Sequence, residues 1–543
     1  MYFWGLVLMI ISIPMSKYMM SVSQFTLTGI LILEFIHLER VKSFFKKTKW
    51  YLIIIMVIPM ALIWAGKSIS QIFSIFFRSK NLPAIVFFSL YLMHVIGLLF
   101  TVDFDYALKD LRVKLPLLVL PVVISVSEPL NWKKFRLLML LFTAAVIAGT
   151  LYSTHYLLTK DIHDLREISI FISHIRFSLL ISISIFVLSY FAIRGRDLPK
   201  YFRSILLIFT VWLLFYLVLS ASVTGLVVLI LTVFVLAVFY TLKKKSLYSR
   251  IATVILFIAP IVLLVFIMGI ISDVYKVHRV DFSTLEKQTA LGATYEHDTT
   301  KLQTENGYYV NLYIATNEMR QAWNKRSIYD FDGKDKKTQK IKYTLIRYLT
   351  SKAYRKDAKG VEMLSEEDIT LIEDGEASAH YHEHSDFYIR LYKIIWEAQQ
   401  YLRKGDPSGH SAMQRVEFWK TSILIIKQYP VFGVGTGDMN IAFKRQYELM
   451  KSPLEPEFRW RSHNQFLSIT VGFGLIGLIW FIVVLLYPPI KTGRMTDYFY
   501  MTFFVIMMLS MISEDTIESQ AGVTIFAFFT SLFLFGKKDK TPI

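Results

Sequence analysis

The sequence predicts an all-α polytopic membrane protein with a large outer segment, and three observations carry that prediction. Of the 543 residues, 54% are hydrophobic, with a mean hydropathy of +0.46, above the roughly 45–50% apolar content of ordinary soluble domains. Apolar runs recur along the chain, many of them long enough to cross a hydrocarbon core of about 30 Å as a helix. The basic excess sits in short connections between those runs: the net charge is +18, yet residues 273–462 hold 29 Lys and Arg against 27 Asp and Glu. That distribution is the positive-inside signal of a membrane topology. It argues against nucleic-acid binding, which requires the excess on one soluble surface. Cysteine is absent, so disulfide and thiolate chemistry are excluded.

The apolar runs fall near 2–16, 20–37, 51–66, 83–101, 115–127, 134–157, 171–193, 203–220, 223–241, 251–272, 464–487, 497–513 and 520–536. The first lacks a basic flank and a small-residue cleavage site and precedes further spans, so it reads as a retained helix. Lys243-Lys244-Lys245 with Arg250, Lys491 with Arg494, and Lys537-Lys538 mark cytoplasmic loops. The run 251–272 then leads outward, 273–462 lies outside, the chain returns at 464, and Glu514-Asp515-Thr516-Ile517-Glu518 forms a short outer loop. Three divisions follow: residues 1–272 with about 10 apolar runs, the outer segment 273–462, and a C-terminal membrane part 463–543. The expectation is an even number of spans, about 12, with both termini cytoplasmic. Alternation fails at one place. It puts outside the basic stretch 38–50, with Arg40, Lys42, Lys46, Lys47 and Lys49, so either 1–37 or 51–82 is miscounted or one run is re-entrant.

The outer segment is too long and too patterned to be a linker. Lys340 to Leu349, Ile369 to Glu373, Phe387 to Tyr401 and Met413 to Lys427 carry apolar residues at helical spacing, and Pro430 stops the last. Tyr308-Tyr309-Val310-Asn311-Leu312-Tyr313 fits a strand or a helix start, and Asp406-Pro407-Ser408-Gly409 is a turn. The segment is therefore expected to be mainly helical.

Candidate chemistry gathers where the outer segment meets the next apolar run, at Arg459-Trp460-Arg461-Ser462-His463-Asn464. Histidine is the side chain suited to proton transfer near neutral pH, and His463 stands at the membrane boundary, where an ionisable residue is a functional candidate; the competing reading is an interfacial histidine bonded to a helix terminus. Asn464 either caps the returning helix or holds a substrate hydroxyl. Arg176, inside the outer end of its apolar run, should face a cavity or an anion, unless it snorkels to headgroups. Arg415, Arg459 and Arg461 are further cations suited to bidentate phosphate binding. Glu514 and Glu518 edge the last outer loop as partners for the arginines, as a rim for polar substrate, or as a solvated helix end. The glycine turn Gly433-Val434-Gly435-Thr436-Gly437 would expose backbone N–H groups to an anion, but it lacks the Lys-Ser/Thr ending of a P-loop. His380, His382 and His384 share one face only if that stretch is extended; without a supporting ligand set, no metal site is assigned.

With those residues in view, the chain resembles the O-antigen ligase/polymerase superfamily. The matching order is Arg176 in Ile175-Arg176-Phe177, a large outer loop, Gln414-Arg415 with Trp419, Pro430-x-x-Gly433-Val434-Gly435-x-Gly437, then His463-Asn464-x-x-Leu467 and Gly472-x-Gly474-Leu475-x-Gly477. The long loop, with Glu305-Asn306-Gly307, resembles that of Bacteroidetes-type members. One position departs: where many members carry a second membrane arginine, Ser222-Val223-Thr224-Gly225 has Val223, and Arg415 or Arg459 would have to substitute. The resemblance implies a GT-C-like fold in the bacterial inner membrane with its active face periplasmic. It implies a cofactor-free, metal-independent, inverting glycosyltransferase that moves a glycan from undecaprenyl diphosphate to an acceptor hydroxyl. His463 would be its base; Arg176, Arg415, Arg459, Arg461, Asn464, Glu514 and Glu518 would bind substrate. The preferred acceptor is lipid A-core, as for an O-antigen ligase; a polymerase or a protein O-oligosaccharyltransferase shares the same apparatus. From another class, a lipid-linked glycan transporter would need mid-membrane ionisable groups or paired broken helices.

Overall fold

A computed structural model describes the chain except residues 37–49, 161–164, 221, 244–245, 385, 405–406, 408–410, 539–540 and 542–543. Most of the basic stretch 38–50, Lys244-Lys245 and the turn at Asp406-Pro407-Ser408-Gly409 therefore fall outside the described residues. Every apolar run read from the sequence is a helix. They are α1 (Tyr2–Met15), α2 (Lys17–Glu34), α3 (Trp50–Phe76), α4 (Leu82–Ile96), α5 (Phe104–Val126), α6 (Trp132–Thr159), α7 (His174–Arg194), α8 (Lys200–Leu219), α9 (Val223–Lys243) and α10 (Leu247–Tyr275). Among the described residues, seven helical stretches are long and apolar enough to cross a membrane, and α1 is a shorter apolar helix.

The chain divides into two compact units, Met1–Thr253 with Arg415–Ile543, and Val254–Gln414. In the second, Asn306 and Gly307 adopt φ of 48° and 83°, the left-handed pair that a two-residue hairpin turn requires. They join β1 (Thr304–Glu305) to β2 (Tyr308–Tyr309), so the tyrosine stretch begins as a strand and turns at 310–313. The unit's helices are α11 (Thr316–Asn324), α12 (Ile341–Ser351), α13 (Ala358–Glu362), α14 (Glu366–Glu373), α15 (His380–Glu383) and α16 (Asp386–Lys404), of which α12, α14 and α16 match the helical spacing read from the sequence. Trp323, Phe331, Leu345, Leu349 and Ile372 form their buried core, and Ser365 with Asp368 closes a capping box on α14. The His380 stretch is helical, so the extended geometry that would align its histidines is not met.

The first unit continues with α17 (Ser411–Gln428), α18 (Met439–Leu449), α19 (Gln465–Lys491), α20 (Tyr498–Ser513) and α21 (Gln520–Leu534). α1 and α2 form an antiparallel hairpin with almost no loop. Ser16 is extended at φ −164° and caps α2 through Met19 N–H, and the Tyr2 N–H donates to Glu34 Oε1 at 3.2 Å. α2 runs parallel to α21, because Gln520 bonds Ser21 and Gln24 bonds Thr524. Glu34 and Leu534 thus lie at the same end of the bundle, where Leu534, Lys491 and Lys538 share a cavity with Ser79 and Pro83. The alternation that fails at 38–50 turns on a stretch that lies mostly outside the described residues.

The glycine turn has a structural duty. Gly474 sits inside α19 at φ 64°, ψ −166°, breaking the helix, and the turn segment 430–436 bonds to the helix at the break. Val434 N–H donates to Val471 O and Gly435 N–H to Gly472 O, both at 2.9 Å, while Leu475 N–H reaches Pro430 O at 2.8 Å. Thr436 N–H goes to Gly97 O and Gly437 N–H to Thr101 Oγ1. These donors are consumed by the protein, so the turn is a wedge and not an anion cradle. A Cβ on Gly474 would stand 2.1 Å from Val431 O, and the left-handed backbone adds strain of about 1–2 kcal/mol. Gly474→Ala should therefore destabilise the protein by about 2 kcal/mol or more, read as a lowered melting temperature in detergent. An unchanged transition would show that wedge and helix break are not locked together.

Candidate functional site

The site forms where four parts of the first unit meet: α18, the segment leading into α19, the loop between α20 and α21, and the N-terminal ends of α5 and α7. They enclose a cavity of about 780 Å³ lined by Tyr106, Arg176, Asn440, Lys444, Tyr447, Arg459, Arg461, His463, Glu514, Asp515, Glu518 and Ser519, among others. Six of the sequence candidates, His463, Arg176, Arg459, Arg461, Glu514 and Glu518, face that one space.

His463 has a left-handed backbone at φ 44°, a conformation a non-glycine residue holds only when its surroundings fix it. The Asp515 carboxylate fixes it, accepting His463 N–H at 3.2 Å, Asn464 N–H at 3.0 Å and the Ser468 hydroxyl at 2.6 Å. The His463 ring stacks on Phe418 at 5.5 Å between centroids and directs Nδ1 toward Glu514 Oε2 at 3.4 Å. Glu514 Oε1 in turn takes Arg415 Nη2 at 2.9 Å. Arg415 thus acts beside the cavity, through Glu514, and does not line it. Asn464 caps α19: its Oδ1 accepts Leu467 N–H at 3.1 Å, and its Nδ2 donates to Ile512 O at 2.9 Å. The capping alternative is the one the geometry supports.

Among the cations, Arg176 Nη1 donates to Ser173 at 2.9 Å, while its buried Nε has no hydrogen-bond partner. Gly522 leaves it room: a Cβ there would come within 3.1 Å of Nε. Arg459 Nε donates to Leu454 O at 2.9 Å, and Arg461 Nη1 to the Tyr106 hydroxyl at 3.1 Å. Val223, at the start of α9, does not line the cavity.

Glu518 corrects the reading of a solvated helix end. It is buried and accepts Lys114 Nζ at 2.9 Å and Gln465 Nε2 at 3.0 Å, with Arg461 Nη1 at 3.8 Å. Lys114 is itself 1% exposed and also pairs with Asp110 at 2.6 Å. Glu514 is similarly engaged rather than solvated. Burial works to raise both glutamates, but His463 and Arg415 outweigh it at Glu514, and Lys114 and Arg461 outweigh it at Glu518, so both lie below the ordinary carboxylate range. At Asp515 burial prevails and the carboxyl is raised.

Lys114, Asp110, Tyr106 and Asp515 were missed from the sequence. The apolar run was read as beginning at 115, which left Lys114 just outside it. α5 in fact starts at Phe104, and an Asp–Lys pair at i, i+4 inside a membrane helix is a signal that could have been found.

Residues 380–482 match the family model described as O-Antigen ligase. No curated protein gives a match. The matched span holds Arg415, the glycine wedge, Arg459, Arg461, His463 and the break at Gly474. Arg176, Lys114 and the acidic loop 514–518 come from outside it and complete the cavity.

Removing Lys114 would strand two buried carboxylates, a loss of about 3–5 kcal/mol. Lys114→Met should lower the melting temperature sharply, and adding Asp110→Asn with Glu518→Gln should recover most of it; a Lys114→Met protein as stable as the wild type contradicts the ion cluster. The depressed carboxyls stabilise the fold above the ordinary glutamate value of about 4.3 and lose that contribution as pH falls below it toward their folded values. Asp515, with its raised carboxyl, has the opposite sign and is relieved on protonation. Acid melting of the wild type should thus steepen below about pH 4, and Glu518→Gln should flatten that dependence.

Proposed function

We propose that this protein is an inverting glycosyltransferase that moves a glycan from undecaprenyl diphosphate to an acceptor hydroxyl at the outer face of the bacterial inner membrane. The observation that carries the reading is one cavity holding His463, Arg176, Arg459 and Arg461 together. An activated sugar available outside the cytoplasm has to arrive lipid-linked, and its diphosphate needs cations at the boundary. His463 takes the proton of the acceptor hydroxyl as its oxygen attacks the anomeric carbon. The bond from that carbon to the diphosphate oxygen breaks on the opposite side, and undecaprenyl diphosphate leaves with the electron pair. Guanidinium groups stabilise the charge on that oxygen as it develops. Glu514, near Nδ1 and tied to Arg415, orients the imidazole.

The acceptor we favour is lipid A-core, the O-antigen ligase reaction, with the chain passing the membrane about twelve times as alternation expects. Growing glycan and protein hydroxyls are the competing acceptors. The test is transfer from a purified undecaprenyl-diphosphate glycan in the presence of chelator, with each acceptor supplied separately. His463→Ala should remain membrane-inserted with wild-type melting and lose about 10²–10⁴-fold in rate. Retained transfer by that variant would move the base elsewhere. Donor binding by the wild type without transfer to any acceptor would favour a transporter.

A further inference from the structure

The opposite end of the bundle carries a second cavity, of about 450 Å³, that plays no part in the reaction above. Lys80, Lys491, Arg494 and Lys538 line it, with Leu82 and Leu534 among its apolar residues, and among the described residues no carboxylate does. Elsewhere at this end basic groups are satisfied by the protein: Arg136 pairs with Asp197, and Arg203 donates to the Ala192 and Ile193 carbonyls. Arg494 is buried and fixed, its Nη2 donating to Lys537 O at 2.5 Å and its Nη1 lying 3.4 Å from Asp497. Asp497 is in turn claimed by Lys537 Nζ at 2.7 Å. Lys80, Lys491 and Lys538 have no ion-pair partner among the described residues. α4 begins at the cavity with Pro83 in its first turn, and Asn81, its cap residue, makes no cap bond there. The Asn81 amide is turned away to Ile75 O at 2.9 Å.

Three ammonium groups with no ion-pair partner among the described residues, around a pocket with apolar helix ends in its wall, fit a group that is anionic at one end and aliphatic at the other. Lysines at the cytoplasmic end of membrane helices also serve topology alone, but topology does not require them to share one concave site. We propose that this cavity binds the phosphate of an anionic phospholipid headgroup, with the acyl chains lying along the apolar ends of α4 and α21. The shared chemistry is a phosphate monoanion; a free phosphate ion is the other source of it.

The test uses the full-length protein in nanodiscs of phosphatidylcholine alone or of equimolar phosphatidylcholine and phosphatidylglycerol, read by melting temperature and by native mass spectrometry. The wild type should melt higher in the mixed discs and retain phosphatidylglycerol. Lys80→Glu with Lys491→Glu should lose most of both effects. Lys133→Glu with Lys134→Glu, the same charge change at exposed positions beginning α6, should keep them. If the first pair does not fold, Lys80→Gln with Lys491→Gln replaces it with the same expectation. Equal responses from both pairs would overturn the proposal in favour of diffuse attraction, as would absence of any phosphatidylglycerol effect. Inorganic phosphate reproducing the stabilisation in pure phosphatidylcholine discs would overturn the lipid as its source.

Discussion

The structure of the site depends on one constraint: the chain must turn from a polar segment into a membrane helix at a residue whose backbone is left-handed. Asp515 meets that constraint by taking two successive backbone N–H groups, of His463 and Asn464, on the two oxygens of one carboxylate. A buried carboxylate in that role satisfies donors that would otherwise stand unpaired at the start of α19. It also sets where the imidazole points. The acidic loop is held in turn by Glu518, which ties it to Lys114 on α5 and to Gln465 on α19. Three helices distant in sequence thus agree on the position of one histidine.

The same logic explains the glycine wedge. A helix broken at Gly474 leaves carbonyls at Val471 and Gly472 without partners of their own, and the turn segment at Val434 and Gly435 supplies the donors. Asp438 then anchors the far end by accepting the Val102 and Asp103 N–H groups. The turn that resembles a phosphate loop on paper spends its donors on protein carbonyls. In the proposed reaction the diphosphate would fall to side-chain guanidinium groups, which match phosphate oxygens without a backbone cradle.

Much of this was legible in the sequence. Hydrophobic runs of membrane length fixed the helices closely, because in lipid a backbone has to satisfy itself within each segment. His463 and the arginines stood out because charge at the boundary is costly and is kept for a reason. What could not be read was pairing. Nothing local says that Lys114 meets Glu518 across 404 positions, nor that Arg415 reaches the cavity only through Glu514. Glu514 and Glu518 looked like a solvated rim because an acidic loop is polar whether or not its partners bury it.

The measurement that bears most directly on this account is the steady-state kinetics of glycan transfer by Asp515→Ala, with His463 and the arginines intact. If Asp515 holds the histidine in place, kcat falls at least about tenfold, as expected when a general base is misplaced, while KM for the lipid-linked donor stays close to that of the wild type. Wild-type kcat in a folded Asp515→Ala protein would contradict the claim that this carboxylate sets the geometry of the site.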